Sequence, residues 1–350
     1  MSLLKATRKI MLSLLLVFSI SATIMSLGSA CLKNEKAITE KACRFVFTDG
    51  KLITPKEKSK NKGTNDNESE RIIYITTDSE SDSERIYKNE RSFEIIESKY
   101  TAAGTKFDNF YVKNTSGTDI NISELLNAKL GFTASYDYSP QVLIVHTHTS
   151  EAYMDTDAGF YYESYTARSN DDTKNVTAVG KAIADELTLC GIGAIHDATH
   201  HDSPGYNGSY ERSMETIQKN LEKYPSICVV LDIHRDALVA NDDAIIKPTF
   251  TVNGKKAAQI MIMSGCDSEG VNDFPFWQEN LKLALKIQNK AETLYPGMTR
   301  PLYFGDFTYN MNANSGSLLI EIGTHANTIE EAKYTGKLLG NVLSQVLKEG

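Results

Sequence analysis

Gln141-Val-Leu-Ile-Val-His-Thr-His-Thr-Ser-Glu-Ala-Tyr153 is an apolar run that breaks off into residues able to bind a metal. Val142 to Val145 read as a buried strand, because a short uninterrupted apolar run suits a strand covered on both faces. His146, His148 and Glu151 follow at its carboxyl end. In open α/β sheets that end faces the crevice where ligands bind, so chemistry is expected here first. Two of the chain's seven histidines lie within three residues. His148-Thr-Ser-Glu151 also has H-x-x-E spacing, which can bring an imidazole nitrogen and a carboxylate oxygen onto one cation. That spacing is common by itself, and its weight depends on partners further along.

Downstream, strand and helix signals alternate. Val176, Val179, Ile183, Leu187 and Cys190 recur at helical spacing, with Gly191 placed to end the helix. Ile192 to Ile195 make a short strand. A helix over about Tyr210 to Lys223 stops before Pro225 and leads into the strand Ile227 to Ile233. Thr249 to Val252 and Ala257 to Met263 flank Asn253-Gly254, a pair that accepts the positive φ angles of a hairpin turn. Then come a helix from about Gln278 to Leu294, a strand Ser317 to Ile322, and a terminal helix opened by the capping box Thr328-Ile-Glu-Glu331. This alternation predicts an α/β fold, a mainly parallel sheet covered by helices on both faces. No internal repeat and no Gly-rich phosphate loop is present.

Two further strands end as the first one does. Val229-Val-Leu-Asp-Ile-His234-Arg-Asp236 carries a histidine at its carboxyl end, and Leu318-Leu-Ile-Glu321-Ile-Gly323 is interrupted by one glutamate. Three strand ends are thus expected to converge on one sheet edge. A glutamate inside such a run is costly to bury unless it is paired, near a metal or protonated; pairing with Arg235 or Lys247 is the plainer alternative for Glu321. Two imidazoles and one carboxylate leave zinc an open fourth position for water, as in catalytic zinc sites. A separate carboxylate must move the water's proton to the leaving amine, and Glu321 is the candidate. His146 or Asp232 could orient a liganding imidazole. Arg212 and Arg235 could grip a substrate carboxylate bidentately. His200-His201 could form a second metal site, although a polar loop is the simpler reading.

The totals bound the rest. Three hundred and fifty residues with 41% hydrophobic content supply a sizeable core, and a net charge of −8 argues against a sequence-independent nucleic-acid binder. Five cysteines, odd in number and without C-x-x-C spacing, suggest neither a disulfide scaffold nor a thiolate zinc site. Lys5, Arg8 and Lys9 precede an apolar run from Ile10 to about Ala30, near the length needed to cross a bilayer. Residues 1–31 therefore read as a single-pass membrane anchor or signal segment, with the body extracytoplasmic by the positive-inside rule. Gly28-Ser29-Ala30 offers a cleavage site, and Cys31 a lipidation site that lacks the usual leucine. Residues 32–104, rich in charged and small polar residues, read as a disordered tether, and 105–350 as the folded catalytic domain.

The segments 142–153, His196-Asp197, Tyr206-Asn-Gly-Ser-Tyr-Glu-Arg-Ser213, 224–236 and 318–323 together resemble the stage II sporulation protein P family. The resemblance runs from about Phe107 to the carboxyl terminus. It implies a membrane-anchored zinc hydrolase that acts on peptidoglycan during forespore engulfment, removing stem peptides as an N-acetylmuramoyl-L-alanine amidase and cutting cross-links as an endopeptidase. It also implies a partner, a lytic transglycosylase of the stage II sporulation protein D type, and an amidase-like domain with His, Glu, His ligands and a catalytic Glu. Wider amidases take their carboxylate ligand from the start of the helix after the first strand, where this chain has Asp171 and Asp172. Glu151 is the expected ligand here, with His148 and His234, and His148 is preferred over His146 because it lies further past the strand. Two other functions compete: a tethered wall-binding scaffold with a vestigial metal site, and a secreted zinc carboxypeptidase.

Overall fold

The computed structural model describes residues 47–48, 51–52, 90–240, 243–271 and 273–349. The chain divides into two units, Met1–Ser59 and Lys60–Gly350. In the first, β1 (Phe47–Thr48) pairs antiparallel with β2 (Lys51–Leu52). The expected membrane segment, most of the expected tether, Cys31 and Cys43 lie outside the described residues. Among the described residues no helix is long and apolar enough to cross a membrane, and Cys190, Cys228 and Cys266 are free thiols.

The second unit opens with β3 (Ser92–Ser98), β4 (Thr105–Phe107) and β5 (Phe110–Asn114). A short helix α1 (Ile122–Asn127) follows, started by Asn121, whose side-chain oxygen accepts from Glu124 N at 3.1 Å. Then come β6 (Pro140–Val145), β7 (Phe160–Tyr162) and α2 (Val176–Leu189), capped by Asn175 and stopped before Gly191, whose φ of 85° suits the chain reversal. Next are β8 (Gly193–His196), α3 (Ser209–Lys223) and β9 (Val229–Asp236). Strands β10 (Ile245–Val252) and β11 (Lys255–Ala258) form the expected hairpin, with Asn253 and Gly254 at φ of 52° and 72°. The apolar run beyond it divides at Gln259. There the chain leaves β11 and enters β12 (Ile260–Cys266) in another sheet, and the Gln259 amide bonds to Tyr100 and Gly297 across the break. Helix α4 (Trp277–Leu294), β13 (Leu302–Asp306), β14 (Ser317–Thr324) and α5 (Ile329–Glu349) complete the unit.

The larger sheet has eight strands in the order β4-β5-β13-β12-β14-β9-β6-β8. The block β14-β9-β6-β8 is parallel throughout, so the carboxyl ends of β6, β9 and β14 lie side by side. Between β14 and β12 the direction reverses, and β12, β13 and β5 run parallel to one another but against that block. The sheet is therefore mixed, not mainly parallel: β12 enters from the hairpin edge, where β14 ends, so it must run back along β14. A smaller sheet, β11-β10-β3-β7, takes in β3, which pairs parallel with β10 and antiparallel with β7. The folded body thus begins before residue 105, and Ser92–Ser98 belongs to it and not to a tether.

Alternation sends Val142, Ile144, Leu231, Ile233, Ile260, Ile262, Leu302, Phe304 and Ile320 to one face, where they form a continuous core with apolar residues of α2, α4 and α5. Leu143, Val145 and Val230 point to the opposite face and pack against Ile217 and Leu221 of α3. Among the described residues α3 and the short 3-10 turn Met311–Ala313 cover only part of that second face. Across β12, β13 and β5 it carries Met261, Met263, Tyr303, Tyr111 and Lys113, all partly exposed. Among the described residues, helices cover one face and only part of the other.

Candidate metal-hydrolase site

Parity along the strands decides which polar residues meet. Glu321 of β14 stands in register with His234 of β9, and Leu319 with Asp232. Asp232 is likewise in register with Val145 of β6. Asp232, His234 and Glu321 therefore share the second face, the one that α3 covers only in part. His148 and Glu151 lie in the turn just past β6, and Glu151 N donates to His148 O at 3.0 Å, which folds the H-x-x-E segment back on itself.

The side chains converge. The His148 and His234 rings lie 5.3 Å apart, edge to face. Glu151 Oε2 is 3.3 Å from His234 Nδ1 and accepts from Arg235 N at 3.1 Å. Asp232 Oδ1 lies 3.0 Å from His234 Nε2 and also accepts from Thr147 N at 2.8 Å, while its Oδ2 accepts from Thr147 Oγ1 at 2.6 Å. All four residues are buried.

Electrostatics follow from this packing. Burial opposes protonation of His234, but Asp232 and Glu151 on either side override it and raise its pKa well above the usual imidazole value. The same pairing overrides burial for the two carboxyls and holds both down, near about 2. Burial lowers His148 to about 4. Burial, with Asp236 adding like charge, pushes Glu321 up to about 8.

Among the described residues no group of three His, Cys, Asp or Glu has its donor atoms gathered for a metal ion. The donors are turned toward one another, with a protonated His234 as the cation between two carboxylates. Yet His148 Nδ1 and Glu321 Oε2 are buried without a hydrogen-bond partner, while His234 Nε2 has the Asp232 carboxylate beside it. Buried orphans of this kind are rare and costly, and a divalent cation would satisfy His148 Nδ1 while replacing the proton on His234. The residues present therefore fit a metal held by His148, Glu151 and His234.

The remaining expected residues fall elsewhere. His146 has the parity of Val142 and Ile144 and points into the opposite face, where Nδ1 meets Ile233 O at 3.0 Å and Nε2 meets His196 Nε2 at 2.9 Å. It steadies the strand before His234 and does not touch the ligand imidazoles. Arg212 donates to the carbonyls of His201, Gly205 and Asn207, and Arg235 to those of Ala152, Ala167 and Asp236. Both guanidinium groups brace loops around the site, a role the sequence reading did not give them. Lys247 pairs with Asp157 and Glu331 at 2.8 Å each, so neither Lys247 nor Arg235 pairs with Glu321. Asp171 accepts from Thr173, and Asp172 meets His200 Nε2 at 2.8 Å. His201 bridges His146 O and Thr216 Oγ1, so the His200-His201 pair is a loop anchor.

Three residues were not foreseen. Tyr206 stacks on His148 with centroids 4.2 Å apart, Tyr210 meets the same ring edge-on at 5.5 Å, and the Arg168 guanidinium lies over Tyr206 at 4.9 Å. Tyr206 lies in the loop before α3 and Tyr210 in its first turn, so the two reach the His148 ring from either side of the helix start.

Solved structures with a similar arrangement of elements include the N-acetylmuramoyl-L-alanine amidase AmiC2 of Nostoc punctiforme, 12% identical, covering 62% of this chain and 97% of that one with a TM-score of 0.35. They also include the CwlD amidase from Clostridioides difficile in complex with the GerS lipoprotein, 9% identical over 60% of this chain and 97% of that one, TM-score 0.36. A third is an N-acetylmuramoyl-L-alanine amidase from Clostridium difficile 630, 14% identical over 60% and 96%, TM-score 0.35. Comparison with curated proteins finds no match. The family model described as Stage II sporulation protein P (SpoIIP) matches residues 32–344. That span takes in every strand and helix that builds the site, and the chain belongs to the stage II sporulation protein P family.

Proposed function

We propose that this protein is a sporulation peptidoglycan hydrolase that cleaves amide bonds as a zinc-dependent N-acetylmuramoyl-L-alanine amidase, with endopeptidase action on peptide cross-links. Membership in a sporulation family supports the setting. The observation that carries the chemistry is the meeting of His148, Glu151, His234 and Glu321 from three adjacent strand ends, with buried donor atoms left unpartnered. His148, Glu151 and His234 would hold the ion. A bound zinc supplies polarisation of the scissile carbonyl and acidifies water.

The chain's own residues do the rest. Glu321 Oε2, unpartnered on the same face as His234, would take a proton from the attacking water and return it to the leaving amine. Burial keeps its carboxyl near the range where one group can both accept and donate. Asp232, fixed by two bonds from Thr147, holds the His234 ring in orientation. Tyr206 closes over the outer face of His148 and limits its rotation. An anchored protein acting outside the membrane beside a lytic transglycosylase that consumes the denuded glycan belongs to the same proposal.

The test is incubation of the full chain with intact sacculi. Soluble stem peptides should appear, vanish on chelation and return with zinc. Retained but undigested sacculi would favour the scaffold reading, and release of terminal amino acids alone would favour the carboxypeptidase.

A further inference from the structure

Among the described residues, the part of the second sheet face that no helix covers begins at the candidate site. Met261 of β12 is in register with Glu321, Met263 is the next residue of that strand on the same face, and Tyr303 of β13 is in register with Met263. These three side chains are partly exposed, whereas Ile260, Ile262, Leu302 and Phe304, on the other face, are buried. A row of rings borders this floor. Tyr210, already against His148, stacks on Tyr309 at 5.5 Å; Tyr309 meets Phe307 at 5.0 Å; Phe307 stacks on Tyr303 at 5.8 Å. The row therefore runs without a break from the His148 ring to the middle of the open face.

Its outermost member is held there against backbone preference. Tyr309 has φ of 39° and Asn310 φ of 59°, consecutive left-handed residues neither of which is glycine. Such positions are unfavourable and persist when the surroundings fix them. Here Asn310 Nδ2 donates to Tyr210 O at 2.9 Å and to Ser213 Oγ at 2.8 Å, and Met311 N to Thr308 O at 2.7 Å. The outcome of that strain is a tyrosine ring 41% exposed beside the site.

The geometry points to a glycan-binding shelf: the Tyr210–Tyr309–Phe307–Tyr303 row and the Met261–Met263 floor seat the sugar chain of the substrate. This rests on the peptidoglycan reading above. An amide that joins a stem peptide to a sugar chain has glycan on one side and peptide on the other, so a surface continuous with Glu321 receives one of the two. Sugar rings present flat C–H faces with hydroxyls at the edge, which suits a line of aromatic faces whose rims carry phenol hydroxyls. A stem peptide, flexible and carrying several carboxylates, would call for cations beside the site, where the floor is thioether and aromatic; the ammonium on this face, Lys113 Nζ, lies 5.7 Å from the Tyr303 ring at the far end of the row.

The experiment is retention of the full chain on glycan strands stripped of their stem peptides, which hold no stem-peptide amide to cut. Wild type should be retained. Tyr309→Ala and Tyr303→Ala should each weaken retention about five- to tenfold, and Tyr309→Phe should preserve it, since the ring face is kept. Melting temperatures identify any variant that has not folded, and two sites keep the test decisive if one fails. Absence of wild-type retention, or retention unchanged in both alanine variants, overturns the shelf. So does a dimer in sedimentation that either alanine variant dissociates, because the face would then seat a second copy. Release of stem peptides from intact sacculi by the same wild-type sample judges the hydrolase separately: strands retained without peptide release would sink that reading and leave the shelf standing.

Discussion

Glu321 owes its position to neighbours on both sides, with Met261 opposite on β12 and His234 alongside on β9. Glutamine has the same shape and cannot carry the proton. Glu321→Gln is expected to keep the fold and its zinc while release of stem peptides falls about 10²- to 10⁴-fold. Sacculus digestion and metal content, measured on one sample, check this; full activity would remove Glu321 from proton transfer. Much of the residue pattern was open to reading in advance, because a lone glutamate in Leu318-Leu-Ile-Glu-Ile and a histidine ending an apolar strand are costly unless they serve chemistry. Period-two alternation also separates His146 from the others: it shares parity with Val142 and Ile144, which face the helical core. The arginines were less legible. Nothing in sequence tells that Arg212 and Arg235 spend their donors on backbone carbonyls of loops, since those carbonyls become neighbours only after folding.

Helices were the most readable elements, because their apolar spacing and caps are local. Thr328-Ile-Glu-Glu331 forms the capping box its pattern announced, with Glu331 N donating to Thr328 Oγ1 at 3.2 Å and Thr328 N to Glu331 Oε2 at 3.0 Å. Strand β3 was hidden by its composition, Ser-Phe-Glu-Ile-Ile-Glu-Ser, and by a partner strand some 150 residues away. At the same scale Gly180 shows why α2 approaches β6 so closely. A Cβ there would meet His146 Nε2 at 2.5 Å and His196 Nε2 at 2.9 Å, two rings already in mutual contact. His146 is fully buried and its Nε2 is tied to the half-buried His196, so it cannot swing away. Gly180→Ala is expected to destabilise the domain by about 1–3 kcal/mol despite alanine's better helix propensity. A urea denaturation midpoint equal to or above that of wild type would show that the helix can retreat at no cost.

For the whole molecule, strand direction was the least legible feature. Alternating strands and helices imply parallel neighbours, and the block β14-β9-β6-β8 obeys; but the β10–β11 hairpin delivers the chain to β12 from the opposite end, which no local signal records. That reversal turns β12 and β13 into the open floor beside the site. The assembled interior also makes a prediction about acid. Burial holds His146 and His325 neutral, down at about 3, and His325 lies near the positive Arg235. An unfolded chain would protonate both near the ordinary value of about 6.5. With more protons bound in the unfolded state between those values, each histidine contributes stability that is fully present above pH ~6.5 and is lost as pH falls toward ~3. Glu321 and His234 are shifted upward and act in the other direction, so the total curve mixes signs. The clean observable is a difference. His325→Gln removes one titrating site, and its unfolding free energy should fall less steeply than wild type from pH 6.5 to 3.5, by at most about 1.4 kcal/mol per pH unit. Parallel curves from equilibrium urea unfolding would mean that His325 is already charged in the folded protein, against its burial beside Arg235.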